Sequence, residues 1–144
     1  LRKSLNLPGM KVLHHAFGHD NSGELPHHHD RDCVVYPATH DNDTTRGWWK
    51  SLPATSRKRF VRFAGSNAAQ KPNEAMIRIA FESPAQLAII PLQDILGLDR
   101  LARMNFPGTP KGNWCWRLGT DWHAQRNVRA KNLHALAALT GRIV

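Results

Sequence analysis

The sequence predicts an α/β fold in which short parallel strands alternate with helices. Three apolar runs predict it: residues 10–17 (MKVLHHAF), 33–36 (CVVY) and 86–92 (QLAIIPL). None alternates polar with apolar, which is the pattern of a strand buried on both faces. Helical patterns follow the second and third runs, and that order places parallel strands beneath covering helices. Three such units fit an arc of a (β/α)₈ barrel or one half of a doubly wound sheet. In a barrel, polar residues just after each strand mark the active-site face. That rule selects the loop after Phe17, the pair His40-Asp41 and the loop after Leu92.

Each element has a local cause. Residues 1–7 read as the end of a helix closed by Pro8-Gly9. Residues 18–32 form a polar loop rich in Gly and His. The second strand stops at Pro37, which cannot donate to a ladder. Residues 53–64 then form a helix with Phe60, Val61 and Phe63 inward, closed by Gly65. Asn73 is placed to cap a second helix to about Glu82, with Met76, Ile77, Ile79, Ala80 and Phe81 as a broad apolar face. Pro84 ends it. Residues 93–97 start a short helix, and residues 104–116 (MNFPGTPKGNWCW) are a long loop. A last helix over about 125–139 sets Val128, Leu136 and Leu139 on one side and ends at Gly141.

Composition narrows the function classes. With 41% hydrophobic and 22% charged residues over 144, the chain suits one globular domain. No apolar run approaches the ~20 residues that span a bilayer, so no membrane role is expected. Cys33 and Cys115 lie far apart and match neither a zinc framework nor a disulfide scaffold, which points to a reducing, cytoplasmic setting. The net charge of +9 is spread along the chain, with one cluster at Arg57-Lys58-Arg59 and Arg62. No nucleic-acid motif accompanies it, and no nucleic-acid partner is expected. The nine histidines include the cluster His27-His28-His29-Asp30 and the pair His15/His19. A His pair four apart binds zinc when it lies on a helix, whereas Gly18 interrupts this one; no metal site is expected.

The segment after the second strand, Thr39-His40-Asp41-Asn42-Asp43-Thr44-Thr45, carries the chemistry. Asn42 and Asp43 have ordinary work as turn and cap residues. His40 and Asp41, at a strand's carboxyl end, must reach solvent or line a pocket.

These residues also carry a resemblance. Residues 36–49 (YPATHDNDTTRGWW) resemble the signature of the amylomaltases, or 4-α-glucanotransferases, of glycoside hydrolase family 77, which usually reads YTGTHDNDT before a glycine and an aromatic pair. Residues 7–17 (LPGMKVLHHAF), Leu25-Pro26-His27, residues 91–98 (PLQDILGL) and residues 103–114 (RMNFPGTPKGNW) agree in the same order. The resemblance spans nearly the whole chain.

It implies the C-terminal portion, about the last three βα units, of a (β/α)₈ barrel, with residues 1–144 as part of a single catalytic barrel. It also implies a cofactor-free enzyme that cuts an α-1,4-glucan, holds one part covalently and passes it to the 4-hydroxyl of glucose or a maltooligosaccharide. By the resemblance, Asp41 is the third catalytic carboxylate, bonded to the 2- and 3-hydroxyls of the transferred sugar. His40, Asn105 and Asp20 contact substrate. The nucleophile aspartate and acid/base glutamate of the family follow earlier barrel strands and are absent, so the isolated chain is expected to be inactive and to need the missing N-terminal part of the same polypeptide. A non-catalytic glucan-binding fragment is the alternative. Sugars stack on exposed aromatic faces, so one or two of Trp48, Trp49, Trp114, Trp116 and Trp122 are candidates for the glucan path and the others for packing. The chain departs from the family at Pro37-Ala38 (usually Thr-Gly), His14 (usually Gln), His28-His29 (usually Asn-Tyr) and Cys115 (commonly Arg).

Overall fold

A computed structural model describes residues 1–18, 22–120 and 122–143. Its centre is a three-stranded parallel sheet, β1 (Gly9–Val12), β2 (Cys33–Tyr36) and β3 (Leu87–Ala88), in sequential order. Gly9 pairs with Cys33, Val12 with Tyr36 and Val34 with Leu87. The helices are α1 (Thr45–Ser51), α2 (Ala54–Ala64), α3 (Pro72–Glu82), α4 (Leu92–Leu96) and α5 (Trp122–Leu139). Short 3₁₀ turns link them.

The sheet has one covered face. Cys33, Val35 and Ala88 join Leu13, Phe17, Trp48, Phe60, Met76 and Ala80 in the core. Side chains alternate along a strand, so the paired positions Met10, Val34 and Leu87 share the opposite face. There Met10 is 63% exposed and Leu87 50%. The unbroken apolar runs predict helices on both faces; among the described residues they lie on one. Sequential strand order explains it, because successive crossovers of one hand that step in one direction land on the same side of the sheet.

Several boundaries differ from expectation, each for a local reason. Residues 3–5 form a 3₁₀ turn rather than the end of an α-helix. The first strand stops at Val12, where the chain tightens into a 3₁₀ turn at Leu13–His15 that buries Leu13 and His14; Glu24 Oε2 accepts from the edge-facing Val12 amide at 2.8 Å. The third strand is cut short because Pro91 has no amide to donate and starts the α4 turn. Asn73 is not a cap: Pro72 opens α3 and the Asn73 amide, buried, donates to Asp94 O at 2.9 Å. Of the three residues expected inward on α2, Phe60 is fully buried, whereas Phe63 is exposed. On α5, Val128 and Leu139 are exposed and Ala137 is buried. The helix α1 was not anticipated. It is two turns long and contains Gly47, too short for periodicity to reveal, and Thr44 caps it by accepting from Gly47 N at 3.2 Å.

The tryptophans divide. Trp48 is buried, stacked on the His14 ring (centroids 4.7 Å apart, planes 8° apart), and Trp49 packs on Phe60. Trp114 stands exposed at the rim of the site.

Candidate functional site

The loop after β2 is built to hold a carboxylate outward. Asn42 Oδ1 accepts from the Thr39 amide at 2.8 Å and the Thr39 hydroxyl at 2.9 Å, which closes a tight turn around His40 and Asp41. Asp43 is turned the other way. Its side chain is 8% exposed, accepts from the Thr44 amide at 2.9 Å and pairs with Arg100 Nε at 2.7 Å. Capping α1 is thus the work of Thr44, with Asp43 bracing it. Gly47 lies so close that a Cβ there would stand 2.4 Å from Asp43 Oδ1.

The long loop after α4 supplies the other wall. Asn105 Nδ2 donates to Asp41 Oδ1 at 2.6 Å, and His40 Nε2 lies 3.2 Å from the same oxygen. The Asn105 amide donates to His40 O at 3.2 Å, so the two loops are joined through backbone as well. Arg103 clamps both: Nη2 donates to Asp41 O at 2.6 Å and Nε to Asn105 O at 2.8 Å. His40 and Asp41 are both about half-exposed, open to a ligand. A cleft of about 390 Å³ adjoins them at the carboxyl ends of β2 and β3, lined among others by Tyr36, His40, Asn42, Ile89, Arg103 and Met104.

Beneath the loop lies a buried polar chain. Asp94 accepts from the Thr45 amide and hydroxyl, and His14 Nε2 lies 3.0 Å from the Thr45 oxygen. Burial pushes the Asp94 carboxyl up to about 6 against the two Thr45 hydrogen bonds, and burial, helped by His15, pulls His14 down to about 3.

Of the residues selected from sequence, His40, Asp41 and Asn105 converge on one oxygen atom. Asp20 lies outside the described residues. Sequence reasoning passed over Arg103, although an arginine beside the Asn of a polar loop facing a strand-end carboxylate is a recognisable clamp. It also passed over Asp94, whose role requires knowing that its carboxylate reaches Thr45, 49 residues earlier, at the start of α1. Among the described residues, no three His, Cys, Asp or Glu side chains gather at one metal-sized point, and no helix is long and apolar enough to cross a membrane.

Fold and cleft define an α/β protein whose polar site sits at the carboxyl ends of parallel strands, the usual position for ligand and active sites in such folds. Residues 1–121 match the family model described as 4-alpha-glucanotransferase. The chain belongs to the 4-alpha-glucanotransferase family. It is 42% identical over 145 residues to the chloroplastic/amyloplastic 4-alpha-glucanotransferase of Solanum tuberosum, covering 99% of this chain and 25% of that protein. Against the 4-alpha-glucanotransferase of Aquifex aeolicus it is 40% identical over 134 residues, covering 92% and 28%. It superposes on the amylomaltase of Streptococcus agalactiae, solved in complex with acarbose, with a TM-score of 0.90 and 26% identity, over 98% of this chain and 28% of that one. The chain therefore spans about a quarter of the length of the curated relatives it matches.

Proposed function

We propose that this chain is the C-terminal part of a (β/α)₈ catalytic barrel that transfers a segment of an α-1,4-glucan to the 4-hydroxyl of glucose or a maltooligosaccharide. The observation that carries the proposal is the Asp41 carboxylate, held half-exposed at the end of β2 with both side-chain contacts on Oδ1. That arrangement leaves Oδ2 to accept from hydroxyls of the sugar at the reacting centre. A carboxylate fixed in this way acts electrostatically: its bonds to the 2- and 3-hydroxyls strengthen as the sugar ring flattens and becomes positive. His40, donating beside it, binds the same sugar. Asn105 and Arg103 spend no substrate binding energy on positioning Asp41, because the clamp is already formed.

The reaction is a retaining double displacement, in which a carboxylate nucleophile and an acid/base carboxyl act in turn. Both come from sequence outside these 144 residues. The uncovered apolar face of the sheet supports the barrel: Met10, Val34 and Leu87 point where a closed barrel has its packed interior. No cofactor takes part. The partners are the glucan and the preceding part of the same polypeptide. Two free cysteines, one of them exposed, fit a reducing cytoplasmic compartment.

The test is maltotriose disproportionation by the complete polypeptide encoded around this sequence, beside its Asp41→Asn variant and the isolated chain. Glucose and longer maltooligosaccharides should appear with the complete polypeptide alone. Transfer by the isolated chain, or full activity in the variant, would overturn the proposal. Glucan binding without transfer by the complete polypeptide would favour a non-catalytic binding role instead.

A further inference from the structure

The loop over residues 104–116 presents two exposed aromatic residues beside the site, and they are not equivalent. The Phe106 ring is covered by the Arg103 guanidinium, 4.3 Å from its centroid. Trp114 is 52% exposed, its ring centroid 5.1 Å from that of His40 at a 38° tilt. Its backbone is unusual: φ is +62°, the left-handed region that a bulky residue rarely enters. The surrounding structure imposes this conformation. The Trp114 amide donates to Met104 O at 2.6 Å. Just before it, Asn113 ties the loop shut, accepting from the Phe106 amide at 2.8 Å and donating to Thr109 O at 2.8 Å. Strain of this kind persists only where the surrounding structure over-determines it, and it clusters at active sites and ligand clamps. A glycine would hold the turn without strain, so the turn alone does not explain a tryptophan.

We propose that Trp114 is a sugar-stacking platform at the rim of the cleft, taking the flat face of a pyranose unit of an α-1,4-glucan next to the unit held by Asp41 and His40. This inference rests on the glucan-transfer function proposed above. The chemistry is direct: the C–H groups on one face of a pyranose carry slight positive charge, and an indole face is electron-rich. His40 sets the spacing, since the same imidazole touches both Asp41 and the indole. Met104, which holds the Trp114 amide, lines the cleft itself.

The experiment uses the complete polypeptide and three variants, Trp114→Ala, Trp114→Phe and Trp114→Gly, with KM and kcat for maltotriose and thermal midpoints. A stacking platform predicts KM raised about 3- to 10-fold in Trp114→Ala and Trp114→Gly, and clearly less in Trp114→Phe. Trp114→Gly should also melt at the wild-type temperature or above it, because the left-handed strain is relieved. If the indole instead packs against the rest of the polypeptide, Trp114→Gly and Trp114→Ala will melt well below wild type with KM unchanged, which overturns the inference while leaving Asp41 and the transfer reaction intact. Wild-type polypeptide without maltotriose turnover or binding overturns both, and unaltered KM in all three variants overturns the platform alone.

Discussion

Thr45 gives both its backbone amide and its hydroxyl to one carboxylate, that of Asp94, at 2.8 and 2.9 Å. Thr45 is the first residue of α1, so Asp94 satisfies an amide that the helix itself cannot. The Thr45 proton is committed to Asp94, and His14 must therefore donate from Nε2, which assigns a neutral imidazole with its proton on that nitrogen. Asp94 is thus a positioning residue. It fixes where α1 begins, and with it the turn that holds Asp41. Replacing Asp94 by Ala should destabilise the folded protein by about 2–3 kcal/mol, since two donors lose a charged acceptor. Denaturant midpoints of the complete polypeptide check this.

The same chain predicts how stability follows pH. His14 sits at about 3 when folded against an ordinary 6.5, so the folded state resists protonation, and the stability it contributes is present above 6.5 and lost as pH falls toward 3. Asp94 works in the opposite sense: its folded value of about 6 lies above the ordinary 3.8, so its contribution is full below 3.8 and lost as pH rises through 6. The His14 displacement is the larger, so acidification below 6.5 should weaken the fold. His14→Gln can keep a donor to Thr45 without a group that titrates. Its thermal midpoint should fall less than wild type between about pH 7 and about pH 5. Parallel curves would show that His14 does not drive the acid loss.

Gly47 leaves no room for a side chain. A Cβ at 2.4 Å from Asp43 Oδ1 must displace a carboxylate already held by Arg100 and the Thr44 amide. Gly47→Ala should therefore cost about 1–3 kcal/mol, although alanine is the better helix former. Gly47→Ala combined with Asp43→Ala should recover part of that loss. A single variant as stable as wild type would show that the loop yields.

Much of this was legible in the sequence because the informative signals were local. The three apolar runs located the strands, and the polar residues after Tyr36 located Asp41 and His40. Asn105 is a different matter: the family resemblance marks it and Asp41 separately as substrate contacts, and the hydrogen bond between them, across 64 residues, was not legible in strand or helix period. The misses came where tertiary contacts overrode local rules. Asn73 has the residue type of a cap, but its side-chain amide has its partner in Asp94 O, and the run over residues 10–17 leaves the strand after Val12 for a 3₁₀ turn that packs Leu13 and His14 inward. Met10 and Leu87 read as buried because an unbroken apolar run is the pattern of a strand covered on both faces, whereas the face they share stands open in the structure.

The clamp on Asp41 makes a graded prediction. Arg103 reaches Asp41 O and Asn105 O with two different nitrogens, which a lysine ammonium cannot reproduce as a planar fork. On the role proposed for Asp41, Asp41→Asn in the complete polypeptide should lower kcat by about 100-fold or more, the loss that follows when a group aimed at transition-state charge is removed. Arg103→Lys should lower kcat by a smaller factor with little change in KM, because it loosens the carboxylate without removing it. Equal losses in the two variants would mean that Arg103 itself touches the substrate.

Arg142 makes the last prediction, in a stretch beyond the residues matched by the family model. Its guanidinium donates to Phe81 O at 2.7 Å, Ser83 O at 2.7 Å, Ala85 O at 3.0 Å and Ala80 O at 3.3 Å. Those carbonyls belong to the last turn of α3 and the turn into β3, where a helix leaves acceptors unsatisfied and its dipole favours a cation. Partial burial lowers the Arg142 pKa, yet an arginine remains charged at any working pH. Arg142→Ala strands several half-buried carbonyls at once and should cost about 2–3 kcal/mol. Arg142→Lys should recover less than half of it, since one ammonium cannot span four acceptors. Because the clamp meets the chain just before β3, hydrogen exchange should quicken at Gln86 and Ile89, whose amides donate to Arg31 O and Val35 O, in Arg142→Ala while the amides of Thr39 and Asn42 keep their wild-type rates. Faster exchange spread evenly over both loops would mean that Arg142 supports the fold globally and not this junction.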